Sequence, residues 1–289
     1  MFLVWISSVS SVVINSMNIK SEKKLAFLHD LYIATDWGER FAELVDEHVE
    51  LPKKGRALYV AAGTGEHALA LQKRAGASLD LLCVDESEDC LELARTKAIA
   101  LSEKTEFQRE NQSALSFGEN LFDLVLGNAS LVRPDDLQQM LAELVRVAAP
   151  GGTVACWMPT FSSFGEFFSI YWEALHNAGL EDRGHEVEHL ITVLPTVSEV
   201  EGWAEQSGLK DVTSWTTIEE FDYESGEQFL NSPLITDFLL PNWLQPVPEG
   251  ERERVVSELQ QIIDEERHDG EFAFTLKATL VTGKKSRVQ

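Results

Sequence analysis

The chain has 289 residues, 44% hydrophobic and 25% charged, enough to bury a sizeable core as one large domain or two small ones. Asp and Glu number 48 against 24 Lys and Arg, a formal charge of -24. A surface this acidic repels phosphate backbones and argues against nucleic acid as substrate or partner.

The first residues, Met1 to Ile14, are apolar and serine-rich, with no basic leader and no small-residue cleavage site. They fall short of the roughly 20 apolar residues that a membrane span needs. The expectation is an N-terminal extension over residues 1–20, foreign to the native start or over-extended, with no stable membrane insertion. A single domain over 21–289 follows it. Three cysteines, Cys83, Cys90 and Cys156, lack CxxC spacing, which suits buried reduced thiols in a cytoplasmic protein without a metal site.

Two helical patterns come next: Lys24 to Tyr32, with Leu25, Leu28 and Leu31 on one side, and Trp37 to Val49 with a 3.6-residue repeat. Pro52 and Gly55 break the chain. Strands and helices then alternate. Ala57–Ala62 reads as a strand, Glu66–Arg74 as a helix and Leu79–Asp85 as a strand. Ser87 is placed to cap a further helix. Thr105–Glu110 is a short strand and Phe122–Gly127 a fourth. Pro134 opens a helix to Ala148, Pro150-Gly151-Gly152 reads as a turn, and Thr153–Met158 is a fifth strand. Such alternation implies right-handed crossovers and a doubly wound, mostly parallel α/β sheet.

The second half differs. Phe161–Asn177 is an aromatic helix carrying Phe164, Phe167, Phe168, Tyr171 and Trp172, a stripe suited either to a core or to the wall of an apolar pocket. Thr196-Val197-Ser198-Glu199 has the form of a capping box, opening a helix that ends at Gly208. Asp211–Ile218 reads as a strand. Helical signals fill Gly226–Leu240 and Glu249–Arg267, and Phe272–Thr282 closes the chain as an edge or reversed strand. The segments at about 161–195 and 223–270 are expected to be helical cap insertions over the ligand site, because ligands bind beyond the carboxyl ends of the strands in such sheets.

The chemistry concentrates at Tyr59-Val60-Ala61-Ala62-Gly63-Thr64-Gly65-Glu66-His67-Ala68, followed twenty residues after Gly65 by Asp85. An apolar strand runs into a glycine turn and straight into a helix, whose N-terminus offers unpaired N–H groups. A carboxylate ends the next strand and can accept hydrogen bonds from two ribose hydroxyls. Gly63-x-Gly65-x-x-Ala68 with Asp85 also satisfies a dinucleotide fingerprint, so this stretch by itself leaves the cofactor open.

Three later features tip the balance: the polar turn Glu110-Asn111-Gln112-Ser113, the strand Phe122-Asp123-Leu124-Val125-Leu126-Gly127-Asn128, and Glu143-Leu144-Val145-Arg146-Val147 leading into Pro150-Gly151-Gly152. Together these resemble the class I S-adenosylmethionine-dependent methyltransferases, in particular the small-molecule group that includes the ubiquinone- and menaquinone-biosynthesis enzymes. The resemblance covers Trp37 to Met158 and, more loosely, the later strands. It implies a Rossmann-like seven-stranded sheet with an antiparallel last strand. It also implies S-adenosyl-L-methionine as cofactor and in-line methyl transfer to a small molecule, one that is apolar or aromatic if the stripe of aromatic residues lines its pocket.

By that resemblance Gly63 and Gly65 pass beneath the methionine part of the cofactor, and Asp85 holds the ribose with Glu86 beside it. Asn111 stands where the family usually has Asp at the adenine amino group, with Gln112 next to it, and Asn128 faces the transferred methyl. The family usually carries an acid where this chain has Tyr59 and Gly where it has Ala61. Glu66 or Asn128 could then take over the role of the missing acid. His67, Asn128 and Tyr171 are candidates for groups near the methyl, and no base is identified. His67 by itself reads as structural or solvent-facing, and His185 and His189 as surface groups. The alternatives are an NAD-dependent oxidoreductase, or a catalytically degenerate cofactor-binding or partner protein.

Overall fold

The computed structural model describes residues 20–266 and 270–287, so the expectation for the N-terminal extension lies outside the described residues except at Lys20. The first two expected helices form one helical run. α1 (Glu22–Leu28) continues through a π-helical stretch, His29–Trp37, into α2 (Gly38–His48). No proline interrupts 22–48, so the sequence carries no stop signal there. The Gly38 N–H reaches back five residues to the Ile33 carbonyl, the bond that defines a π turn. The π stretch buries both Ile33 and Trp37.

The alternating part folds as expected. It comprises β1 (Gly55–Val60), α3 (Glu66–Ala75), β2 (Leu79–Asp85), α4 (Glu88–Leu101), β3 (Glu106–Arg109), β4 (Phe122–Asn128), α5 (Pro134–Val147) and β5 (Ala148–Pro159). Ser87 caps α4 by accepting from the Cys90 N–H, and Pro134 sits in the first turn of α5. The sheet is completed by β6 (Leu209–Tyr223) and β7 (Phe272–Lys285), in the order β3-β2-β1-β4-β5-β7-β6. The pairs from β3 across to β5 are parallel, and β7 runs antiparallel to β5. This is the Rossmann-like seven-stranded sheet with a reversed last strand.

Two local readings change. β7 is reversed but not an edge. It lies between β5 and β6, and Ala278, Thr279, Leu280 and Val281 are consecutively buried because both faces of the strand are covered. Pro150-Gly151-Gly152 is not a turn between elements but part of β5, where the register against β4 shifts between Phe122 and Leu124. Gly151 has φ +82°, and a Cβ on Gly152 would stand 2.9 Å from the carbonyl oxygens of Ala149 and Phe122. The glycines make a bulge by letting three backbones crowd together.

The described chain divides into two compact units. In the first, which holds Glu22–Phe161, Val193–Glu219 and the chain from Lys277, α5 sets Leu137, Met140, Leu141, Leu144 and Val145 against Leu58, Val60 and Val125 of the sheet. The expected capping box opens α8 (Val197–Gln206) on Thr196 and Glu199.

The second unit gathers Ser162–Thr192 and Glu220–Leu276. It contains α6 (Gly165–Asn177), α7 (Gly184–Thr192), α9 (Gly226–Asn231), α10 (Leu240–Trp243) and α11 (Arg252–Glu266). Its core is the aromatic stripe. Phe167 stacks on Trp243 at 4.6 Å, Phe164 on Phe274 at 4.9 Å, and Phe229 touches Phe167 and Phe272. Phe167, Phe168 and Tyr171 are fully buried, whereas Trp172 is exposed. The stripe is therefore packing rather than a pocket wall. No helix among the described residues is long and apolar enough to cross a membrane.

Candidate active site

β1 delivers the chain into a turn in which Ala61, Gly63 and Gly65 all have positive φ, at 56°, 56° and 79°. The left-handed region costs an L-residue roughly 1–2 kcal/mol, so Ala61 carries strain at the position where the resemblance expects glycine. A Cβ on Gly63 would stand 2.6 Å from the His29 ring, and one on Gly65 would stand 2.9 Å from the Ala94 methyl. Both glycines thus admit the protein's own side chains as well as the turn. Burial in this spot lowers the His29 imidazole to about 4, against the opposing pull of Asp30 and with help from Lys97.

The Gly63 N–H donates to Asp85 Oδ2 at 2.8 Å, and the Ser87 N–H donates to Asp85 Oδ1 at 2.9 Å. The glycine turn and the carboxylate thus meet at the adjoining tips of β1 and β2. Burial raises the Asp85 carboxyl above its ordinary range, with the Ser87 and Gly63 N–H groups pulling the other way. Next to it, Glu86 Oε1 accepts from the Gln112 N–H at 3.3 Å, and Asn111 Oδ1 accepts from the Ser113 N–H at 2.8 Å. Beyond β2 and β3, Glu86, which follows Asp85, is thus tied to Gln112, which follows Asn111. The Asn111 oxygen already serves its own turn there, as Asx residues commonly do.

Tyr59 and Asn128 lie elsewhere, on the wall of a cavity of about 360 Å³ that Ala62, Thr64, Glu66, His67 and Trp157 also line. The Tyr59 hydroxyl and His67 Nδ1 are 3.0 Å apart, and His67 Nε2 and Asp46 Oδ1 are 3.1 Å apart. An ionised carboxylate can only accept, so Nε2 carries the proton and Nδ1 accepts from Tyr59. Burial works to raise the Asp46 carboxyl, but bonds from His67 and Arg74 hold it below the ordinary range. Burial pushes the Tyr59 hydroxyl well above its usual value. Of the two readings of His67, structural or solvent-facing, the contacts favour the structural one: it couples Tyr59 to a carboxylate on α2.

Neither expected substitute for the missing acid is uncommitted. Glu66 pairs with Lys97 at 2.7 Å, and Asn128 Oδ1 accepts from the Ser130 N–H at 3.2 Å. Tyr171 is not part of this cavity. It is buried in the other unit's core, donating to the Trp243 carbonyl at 2.8 Å.

Sequence reasoning missed Thr64, Trp157 and the α2 carboxylates Glu39, Glu43 and Asp46, all of which line the cavity. Their signals were present. Thr64 lies between the two glycines, Trp157 pairs with Asn128 across β4 and β5, and the acids recur at helical spacing. All three cysteines are buried and free, and burial lifts Cys90 to about 11 and Cys156 to about 12. They are inert thiols, since only the thiolate is nucleophilic.

Residues 57–152 match the family model described as a methyltransferase domain. The demethylmenaquinone methyltransferase of Shouchella clausii is 33% identical over 124 residues, 41% of this chain and 52% of that protein. The demethylmenaquinone methyltransferase of Bacillus licheniformis is 30% identical over 139 residues, 47% of this chain and 58% of that protein. The chain thus spans a little over half the length of these curated relatives. The solved structure of the YcgJ protein from Bacillus subtilis superposes with a TM-score of 0.56 at 18% identity, over 86% of this chain and 100% of that one, a likeness of fold. The dinucleotide alternative is not favoured by these matches. The sheet order and the glycine turn agree with the methyltransferase-domain model that residues 57–152 match.

Proposed function

We infer that the chain is an S-adenosyl-L-methionine-dependent methyltransferase that acts on a small molecule. The observation that carries this reading is the meeting of the Gly63 N–H with the Asp85 carboxylate at the strand tips, in a segment that matches a methyltransferase domain. When bound, the cofactor supplies a methyl group on a sulfonium, already a good leaving group. The protein's task is then alignment, exclusion of water and proton removal where the acceptor needs it.

The residues present fit such a group. The Thr64 hydroxyl is fully buried with no hydrogen-bond partner among the described residues and lies on the cavity wall, which offers a polar ligand atom a partner. The cavity carries acidic side chains and no Lys or Arg, which suits a cationic cofactor. In this reading Asp85 and Glu86 hold the ribose, Asn111 and Gln112 frame the adenine, and Gly63, Gly65 and Ala61 form the turn under the methionine part. Tyr59 and Asn128 face its amino-acid end. The net charge of -24 argues against nucleic-acid partners, and the three free, buried cysteines suit a cytoplasmic enzyme.

Calorimetric titration tests the reading. S-adenosylmethionine and S-adenosylhomocysteine are expected to bind and NADH is not. Asp85→Ala is expected to weaken cofactor binding by roughly 1.5–3 kcal/mol, the range for hydrogen bonds to a charged group. Binding of NADH alone would overturn the assignment, and an unchanged dissociation constant in Asp85→Ala would remove Asp85 from the site.

A further inference from the structure

The cavity has a chemistry that the resemblance does not supply. α2 turns Glu39, Glu43 and Asp46 into it, at spacings of four and three residues along one helical face. Asp46 is engaged by His67 and Arg74. Glu39 and Glu43 take part in no ion pair among the described residues. No Lys or Arg lines the cavity, and the neighbouring cations are committed elsewhere: Arg40 to Glu219 and Asp36, and Lys97 to Asp30 and Glu66. The buried rings of Trp37 and Trp157 form part of the wall.

A second observation is independent of the acids. The Thr64 side chain is fully buried on the cavity wall, and its Oγ1 has no partner among the described residues. A buried hydroxyl left that way normally meets a ligand or water.

We propose that the cavity receives an amine as methyl acceptor, drawn in as its ammonium form by Glu39 and Glu43. Carboxylates on a cavity wall that carries no Lys or Arg favour a cation over a neutral isostere. The stripe from Glu39 to Asp46 runs about 10 Å along the helix at 1.5 Å per residue, longer than one cofactor ammonium requires. This inference rests on the methyltransferase reading for the methyl donor. For transfer, the ammonium gives one proton to a carboxylate of the α2 stripe. The nitrogen lone pair then forms the N–C bond, while the C–S bond breaks with its electron pair on sulfur. The methylated nitrogen carries the positive charge that the sulfur loses.

Calorimetry on the full chain saturated with S-adenosylhomocysteine separates the outcomes. Choline, a cation with no further methyl to accept, is compared with 3,3-dimethyl-1-butanol, its uncharged isostere. Choline should bind at least about tenfold more tightly. The double variant Glu39→Gln/Glu43→Gln, altered at exposed positions, should lose about tenfold in choline affinity and keep its affinity for S-adenosylhomocysteine. Equal binding of the two probes, no choline binding to a protein that binds S-adenosylhomocysteine, or a variant that loses S-adenosylhomocysteine instead of choline overturns the proposal. A wild-type chain that binds choline selectively but not S-adenosylhomocysteine upholds the cation site and sinks the methyltransferase reading.

Discussion

At the scale of single residues, three side chains stand out at and beside the glycine turn. Ala61 adopts φ 56° and so keeps the backbone of a glycine while carrying a methyl group. Tyr59 stands where the resemblance expects an acid, and its hydrogen-bond chain runs through His67 to a carboxylate, Asp46. His29 lies against Gly63 with its imidazole lowered to about 4 by burial.

Because the folded value of His29 lies below the ordinary histidine value of about 6.5, the unfolded chain binds this proton more readily between the two. Its contribution to stability is complete above pH 6.5, falls as the pH drops, and is lost once the pH passes 4. Denaturant titration across this window should show a loss on the order of 1–3 kcal/mol that His29→Asn lacks. Parallel curves for the two proteins refute the assignment.

Among the elements, β5 shows how a glycine pair can be misread locally. Pro-Gly-Gly has turn composition, but the register shift against β4 absorbs it as a bulge. The carbonyl oxygens around Gly152 are backbone atoms that cannot swing away. Gly152→Ala should therefore cost about 1–3 kcal/mol, the usual range for forced overpacking. Equilibrium unfolding measures the change, and a loss under 0.5 kcal/mol, ordinary for a surface substitution, would count against the crowding.

α2 was legible as an amphipathic helix from Phe41, Leu44 and Val45. The job of its acidic face was not. Exposed carboxylates at helical spacing look like a solvated surface until another element closes a cavity against them.

For the molecule as a whole, the described chain divides into two compact units. In the second, Phe167 is fully buried among Phe168, Tyr171, Phe229 and Trp243. Phe167→Ala should cost about 3–5 kcal/mol, typical of truncating a core aromatic. It should also bring forward proteolytic cleavage within 162–192 and 220–276. A variant with unaltered melting and the wild-type cleavage pattern would show that the stripe is not this unit's core.

Much of this architecture could be read from the residues alone. Apolar runs that alternate with helical periods fix a parallel sheet. A glycine turn between strand and helix marks its ligand end, and Asp85 at the end of the next strand marks a partner for that turn. These signals are local: backbone preference and hydrophobic period are written within a few neighbours in sequence. The aromatic stripe was ambiguous because a core wall and a pocket wall need the same side chains, and only packing on Trp243, Phe229 and Phe274 decided it. The position of β7 inside the sheet, the coupling of Tyr59 to Asp46 through His67, and the shared cavity of Glu39, Thr64 and Trp157 likewise arise from contacts between residues far apart in sequence. Distances across such contacts are set by how whole elements pack, so tertiary structure alone supplied them.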